Sequence, residues 1–321
     1  MITKLKGGSL SATYLHQQGL NAFIRKTVSL TKDREYGYVR WFSQLKKLQR
    51  YNEMFPGLFP VVLEVGYEDD QAYFDLEYLK SFKDIKTIFS DSEQSADAID
   101  RINTALWRAF DRLHSKPYLA NPGGAGLYYK EEVEQKLADA RSVAEFEEFY
   151  QLGNYNYNDQ PVLGLDAYLP RLKEYLLTAN LETEEYIHGN PTLENTMYSF
   201  DYDRIMFVDT YEESIIDSKL LDYSQILQCS RSYYGYINDK EISVDGNHVS
   251  HALTIPANFT AFNQLFEQEL ASRNLNLQLI DVLEATQFIR MLPFKALAGD
   301  LNKAKYFYVH ACYLLGKVFA Q

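Results

Sequence analysis

The stretch between Asn195 and Asp209 most constrains what this chain can fold into. It reads Thr196-Met197-Tyr198-Ser199-Phe200, then Asp201-Tyr202-Asp203-Arg204, then Ile205-Met206-Phe207-Val208. An apolar run, a polar turn and a second apolar run predict two antiparallel strands joined tightly. Closing such a hairpin brings its ends together, so Asn195 and Asp209 are expected side by side at the open end. There an amide oxygen and a carboxylate can share one hard divalent cation. Either residue alone is accounted for by capping a turn; the pair flanking one hairpin is the informative feature.

Immediately before the hairpin stands Tyr186-Ile187-His188-Gly189-Asn190-Pro191-Thr192-Leu193-Glu194-Asn195. With Asp209 after the next strand, the run resembles the catalytic loop of kinases, His-x-Asp-x-x-x-x-Asn followed by a metal-binding aspartate. The glycine after His188 and the acidic residues Asp209, Glu212, Glu213, Asp217 and Asp222 make the chain resemble the aminoglycoside phosphotransferase and choline kinase families of small-molecule kinases. Those families read roughly His-Gly-Asp-x-x-x-x-Asn, then Asp-x-Glu-x-Ala, then Gly-Asp-Pro-x-x-Asp-Leu. Here Glu212 falls one place late, and of the last element only Asp222 is kept. The string Asp222-Tyr223-Ser224-Gln225-Ile226-Leu227-Gln228 is also similar to sugar kinases of bacterial surface-polysaccharide pathways.

The resemblance implies an α+β, two-lobed protein-kinase-like fold. Residues 1–79 would form an N-terminal nucleotide-binding lobe, a small antiparallel sheet plus one helix. Residues 80–321 would form a large, mainly helical C-terminal lobe for catalysis and substrate binding. It implies ATP and Mg²⁺ as cofactors, with Asn195 and Asp209 holding the metal, and transfer of the γ-phosphoryl group to a hydroxyl of a small molecule. A sugar or surface-polysaccharide precursor is the first expectation for that alcohol, choline-like or aminoglycoside cations the next. Asn190 stands at the base position and His188 braces the same loop. A carboxamide can orient a hydroxyl but hardly accepts its proton, and losing a general base costs roughly 10²–10⁴-fold. Two explanations stay open: an inactivating Asp→Asn change that traps a substrate complex, which the retained Asn195, Asp209 and Asp222 favour, or a catalytically silent nucleotide-binding protein.

The N-terminal third fits that outline. Leu5-Lys6-Gly7-Gly8-Ser9-Leu10-Ser11 and the run to Leu15 predict a hairpin, followed by a third strand through Ala22-Phe23-Ile24-Arg25-Lys26-Thr27-Val28. Gly7, Gly8 and Ser9 could present backbone N–H groups to a triphosphate without side-chain obstruction, and a lysine ending the third strand could pair with the same oxygens. Alternation places Lys26 with Ala22 and Ile24 and makes it the choice, Arg25 remaining a competitor. From Lys32 to Met54, Tyr38, Trp41, Phe42, Leu45, Leu48 and Tyr51 recur at helical spacing up to Pro56. In the resembling families this helix offers an acid to the strand lysine; Glu35 near the helix start and Gln44 at the family spacing are the alternatives, and with Gln44 the usual ion pair is missing. Val61–Tyr67 and Ala72–Leu79 read as two strands around Asp69-Asp70, and Glu77, Tyr78 and Leu79 are the expected adenine-binding crossing.

Beyond residue 80 the pattern turns helical. Ile99, Ile102, Leu106, Ala109, Phe110 and Leu113 form one stripe, Asn121 to Gly126 reads as a flexible connection, and charged amphipathic segments follow around 130–150 and 165–177. Lys136 and Arg141 there are candidate ligands for an anionic substrate. Two or three helices close the chain. A net charge of −12 over 321 residues leaves no basic stripe for a nucleic-acid backbone. No apolar run of about 18 residues or signal-peptide core is present, so no membrane insertion and a cytoplasmic location are expected. Cys229 and Cys312 lack metal spacing and read as buried thiols. The 26 tyrosines read mainly as amphipathic core. Oligomeric state is not legible.

Overall fold

A computed structural model describes residues 1–5, 11–19, 21–32, 37–119, 123–179, 183–211, 214–251 and 253–320. Gly7, Gly8 and Ser9 lie outside the described residues, as do Glu35, Glu212 and Glu213. The first part of the chain runs β1 (Ile2–Lys4), β2 (Ala12–Gln18), β3 (Asn21–Ser29), α1 (Val39–Met54), β4 (Val62–Glu68), β5 (Gln71–Glu77), β6 (Lys83–Asp84), α2 (Ile85–Asp91) and α3 (Ala96–Leu113). The middle holds β7 (Pro117–Leu119), α4 (Gly124–Tyr128), a π-helical segment (Tyr129–Gln135), α5 (Lys136–Arg141), α6 (Ala144–Tyr150), β8 (Asn154–Tyr157), β9 (Gln160–Leu163), α7 (Leu169–Thr178) and β10 (Thr183–Glu185). The last part holds β11 (Thr196–Ser199), β12 (Arg204–Phe207), α8 (Lys219–Ser230), α9 (Tyr234–Asn238), β13 (Ser243–Asp245), β14 (His248–Ser250), α10 (Ala257–Ser272), α11 (Leu277–Ala296) and α12 (Leu301–Phe319). The chain is α+β, with an antiparallel sheet near the N-terminus and a mainly helical C-terminal part.

Two compact units interleave along the chain: residues 1–88, 101–113 and 188–214 form the first, and 89–100, 114–187 and 215–321 the second. In the first, five strands follow the order β1-β2-β3-β5-β4, all antiparallel. The register sets Lys26 opposite Phe74 and Arg25 opposite Asp75. Because successive side chains leave opposite faces of a strand, Lys26 and Arg25 part company. Helix α1 covers the Lys26 face with Trp41, Leu45, Leu48 and Tyr51, all buried, and Trp41 lies 5.4 Å from Phe74. Each such buried side chain contributes roughly 1.5–3 kcal/mol. Phe42, expected in the same stripe, is 40 % exposed because it sits one residue round the helix from the buried face.

Strands β11 and β12 pair antiparallel, Thr196 opposite Phe207, and β6 extends them to three strands. The turn between them carries Asp203 in the left-handed region (φ +47°), held by the Tyr198 hydroxyl at 2.6 Å and by Arg108 at 2.9 Å. Ile102, Leu106, Phe110 and Leu113 of α3 are buried as their spacing predicts, Phe110 stacking on Phe207.

The second unit is built on α11 packed against α12, with α8 and α5 also on α11. A four-stranded sheet, β13-β14-β8-β9, was not expected; its strands are only three or four residues long, too short for an apolar alternation to repeat. Tyr155, Tyr157, Tyr306 and Tyr308 are buried here, their hydroxyls placed on backbone or on each other. The reading of Asn121 to Gly126 as a loop is corrected for its second half: Gly124–Tyr128 is helical, and a Cβ at Gly124 would come within 3.3 Å of Ile216. Cys229 and Cys312 are buried and form no disulfide. No helix among the described residues is long and apolar enough to cross a membrane.

Candidate functional site

The site lies within the first unit and is assembled by α1, β3, the loop 188–195 and the end of β12. Loop 188–195 is held from both sides. His188 is buried, its Nε2 2.9 Å from the Val208 carbonyl and its Nδ1 3.1 Å from the Asn190 N–H. Those partners assign the hydrogen to Nε2: the ring donates to Val208 and accepts from Asn190. With both nitrogens held by backbone, His188 is placed to brace the loop, and neither nitrogen is left for proton transfer. Phe59 and Phe207 flank the ring.

Gly189 adopts φ +83°, and a Cβ there would meet Ser214 Oγ and Tyr211 Cβ at 3.0 Å. Only glycine takes this turn without strain. Asn195 donates its Nδ2 to the Asn190 carbonyl at 3.0 Å, while Val208 N–H donates to the Asn195 carbonyl at 2.9 Å. Asn195 Oδ1 and the Asn190 side-chain amide make no hydrogen bond among the described residues.

Asp209 follows β12 in the left-handed region, φ +56°, an uncommon conformation for a non-glycine that clusters at functional sites. Its Oδ1 accepts from Lys26 Nζ and, at 3.0 Å, from Gln44 Nε2. Its side chain is 41 % exposed, and Oδ2 has no partner among the described residues. Burial pushes the carboxyl up, but the Lys26 ammonium, the Gln44 amide and His188 outweigh it and hold Asp209 below the usual carboxylate range.

Between the two basic candidates on β3 the geometry differs sharply. Lys26 reaches Asp209 and Gln44, whereas Arg25 makes a two-pronged pair with Asp75 at 2.8 Å on the opposite face, stacks over Tyr73 at 3.8 Å and adds Glu68 at 3.3 Å. Gln44 accepts from Lys26 at 2.7 Å, so the helix residue beside the lysine is a carboxamide, with Glu35 outside the described residues. Sequence reading missed Lys47, one turn further along α1. It is buried and donates to the carbonyls of His188 (3.2 Å) and Tyr211 (2.6 Å), clamping the loop to the segment after Asp209. A lysine inside the Gln44-Leu45-Leu48 stripe was the available signal.

Glu77, Tyr78 and Leu79 lie at the end of β5. Glu77 N–H donates to Val61 and Phe82 N–H donates to the Leu79 carbonyl, while the Leu79 N–H has no hydrogen-bond partner among the described residues. Arg141 is not a free substrate ligand: it grips Glu147 at 2.6 and 2.8 Å and lies 4.1 Å over Tyr150. Lys136 lies over the Phe294 ring.

The donor set of Asn195 Oδ1 and Asp209 Oδ2, two hard oxygens without partners beside one hairpin, fits a Mg²⁺ ion better than a thiol- or imidazole-seeking metal. No group of three or more His, Cys, Asp or Glu that could hold a metal occurs among the described residues.

No protein-family model and no curated protein sequence matches the chain. Similar solved structures include the kinase domain of PknI from Mycobacterium tuberculosis. A double mutant of it has 14% identity and a TM-score of 0.38, covering 98% of this chain and 94% of that one. A second structure of the same domain has 13% identity and a TM-score of 0.37, covering 97% and 94%.

Proposed function

We propose that the chain is a phosphotransferase of protein-kinase-like fold that uses Mg-ATP and directs the γ-phosphoryl group to a hydroxyl of a small molecule. One observation carries this reading. Lys26 and Gln44 hold one oxygen of Asp209 and leave the other open, beside Asn195, whose amide oxygen is also open. Lys26 Nζ has three hydrogens, and its two partners among the described residues leave a third for a phosphate oxygen. The Leu79 N–H is a donor of the kind a nucleobase edge needs, and Gly7, Gly8 and Ser9 are assigned to the phosphates. Bound Mg²⁺ would neutralise the β- and γ-phosphates as charge develops in transfer. Asn190 orients the acceptor hydroxyl with its free amide. As it accepts no proton at neutral pH, the chain acts by positioning.

Retention of Lys26, Asn195 and Asp209 around a carboxamide at 190 is what an Asp→Asn change in a working centre would leave. The same carboxamide favours a second reading, a silent nucleotide-binding protein. A sugar or surface-polysaccharide precursor is the proposed acceptor class, on the resemblance of Asp222–Gln228. The test is a thermal-shift screen with Mg-ATP over sugars, polyols and amino-alcohols, followed by a mass-spectrometric search for phosphorylated product. A nucleotide-dependent rise in melting temperature is expected; its absence with ATP, GTP and ADP alike removes the reading.

A further inference from the structure

Gln44 is the least expected member of the cluster. Its side chain is buried, and its three partners fix which end is which. Lys26 Nζ can only donate, so Oε1 faces it at 2.7 Å; the Asp209 carboxylate and the Thr210 carbonyl can only accept, so Nε2 donates to them at 3.0 and 2.7 Å. A glutamate at 44 could still accept from Lys26. It would have no hydrogen for Asp209 or Thr210, and it would set carboxylate against carboxylate.

We propose that Gln44 is a positioning residue of the metal site: its amide ties down Asp209 Oδ1 and so aims Oδ2 at the cation, a task a carboxylate at this position cannot perform. This rests on the phosphotransferase reading above. Asn195 follows the same logic, since its amide nitrogen is anchored on the Asn190 carbonyl and its oxygen has no hydrogen-bond partner among the described residues. Both metal-facing oxygens are therefore aimed by an amide N–H on the far side.

The experiment is calorimetric titration of the full chain with ADP, once with excess Mg²⁺ and once with EDTA, for the native chain, Gln44→Leu, Gln44→Glu and Asp209→Asn. The expected result is a metal-dependent gain in affinity that falls roughly tenfold in Gln44→Leu and at least as far in Gln44→Glu, despite the added negative charge, as one charge-assisted hydrogen bond is lost. Affinity in EDTA should stay within about twofold, and neither substitution should add to Asp209→Asn when combined with it. A Gln44→Glu chain that binds Mg-ADP as tightly as the native one overturns the proposal. So does a parallel loss with and without metal, which marks mere support of α1. A native chain that binds no nucleotide in either condition overturns the phosphotransferase reading itself, and needs no variant to be seen.

Discussion

Two clusters of charge in this molecule are built to opposite ends. In the second unit Arg231 meets Glu267 at 3.1 Å, Asp281 at 2.5 Å and the fully buried Glu284, whose other oxygen accepts from Ser232 at 2.6 Å. In the first unit Asp209 is part-exposed and keeps one oxygen without a partner among the described residues. Burial pushes the Glu284 carboxyl up in spite of Arg231, whereas Lys26 overcomes burial and holds Asp209 down. One carboxylate is saturated and shut in; the other stays anionic with a face open. The difference separates a saturated ion pair from one with valence left over, which the charge present does not reveal.

Four measurements break or sharpen that contrast. The largest effect belongs to Asn190→Asp, which adds a base to the open centre and should raise ATP-dependent phosphorylation of the matching alcohol by roughly 10²–10⁴-fold. An Asn190→Asp chain that binds Mg-nucleotide yet transfers nothing across a broad acceptor panel supports the silent-binder reading. Next, Arg231→Met strands Glu284 and should cost about 3–5 kcal/mol in denaturant unfolding, largely recovered by adding Glu284→Met. If Asp209→Asn destabilises the chain as much, the open centre is structural after all and the contrast collapses.

A smaller effect concerns His310, which is buried and holds Tyr157 at 2.7 Å through Nδ1, with Nε2 unpartnered among the described residues. Burial depresses its pKa to about 3, so the unfolded chain takes up the proton first. Its contribution is intact above the ordinary histidine range and declines as pH falls from about 6.5 toward 3, by about 2 kcal/mol at pH 5. His251, also lowered by burial, acts in the same direction. A His310→Gln chain should show a flatter stability curve between pH 7 and 5; an unchanged slope means the imidazole is protonated in the fold. The smallest effect is Arg141→Ala. As its pair with Glu147 is about a third exposed on either side, the cost should be under about 1 kcal/mol, with no change in Mg-ADP affinity.

The hairpin β11–β12 was legible because a polar turn separates two apolar runs, and α3 because its stripe repeats at helical spacing. The choice between Lys26 and Arg25 was only half legible. Alternation says they face apart, but which face receives α1 is a tertiary fact. Gln44 against Glu35 failed to resolve for the same reason, since helical spacing does not say which turn lies beside Lys26. Lys47 was missed because a lysine within an apolar stripe reads as solvent-facing; only its two carbonyl partners reveal a buried cation. The β8–β9 and β13–β14 strands were invisible because they are only three or four residues long, too short for an alternation to repeat, and the buried Tyr155 and Tyr157 of β8 carry hydroxyls that blur the polar–apolar signal.

The first unit draws its parts from residues 1–88, 101–113 and 188–214. During synthesis its sheet could form early, yet Lys26 would wait for Asp209 until well over half the protein had left the ribosome. Long closures of this kind are slow. An N-terminal fragment cut after β5 should therefore be a nascent sheet whose Lys26 keeps Gln44 but lacks Asp209, prone to capture by chaperones, rather than a miniature nucleotide binder.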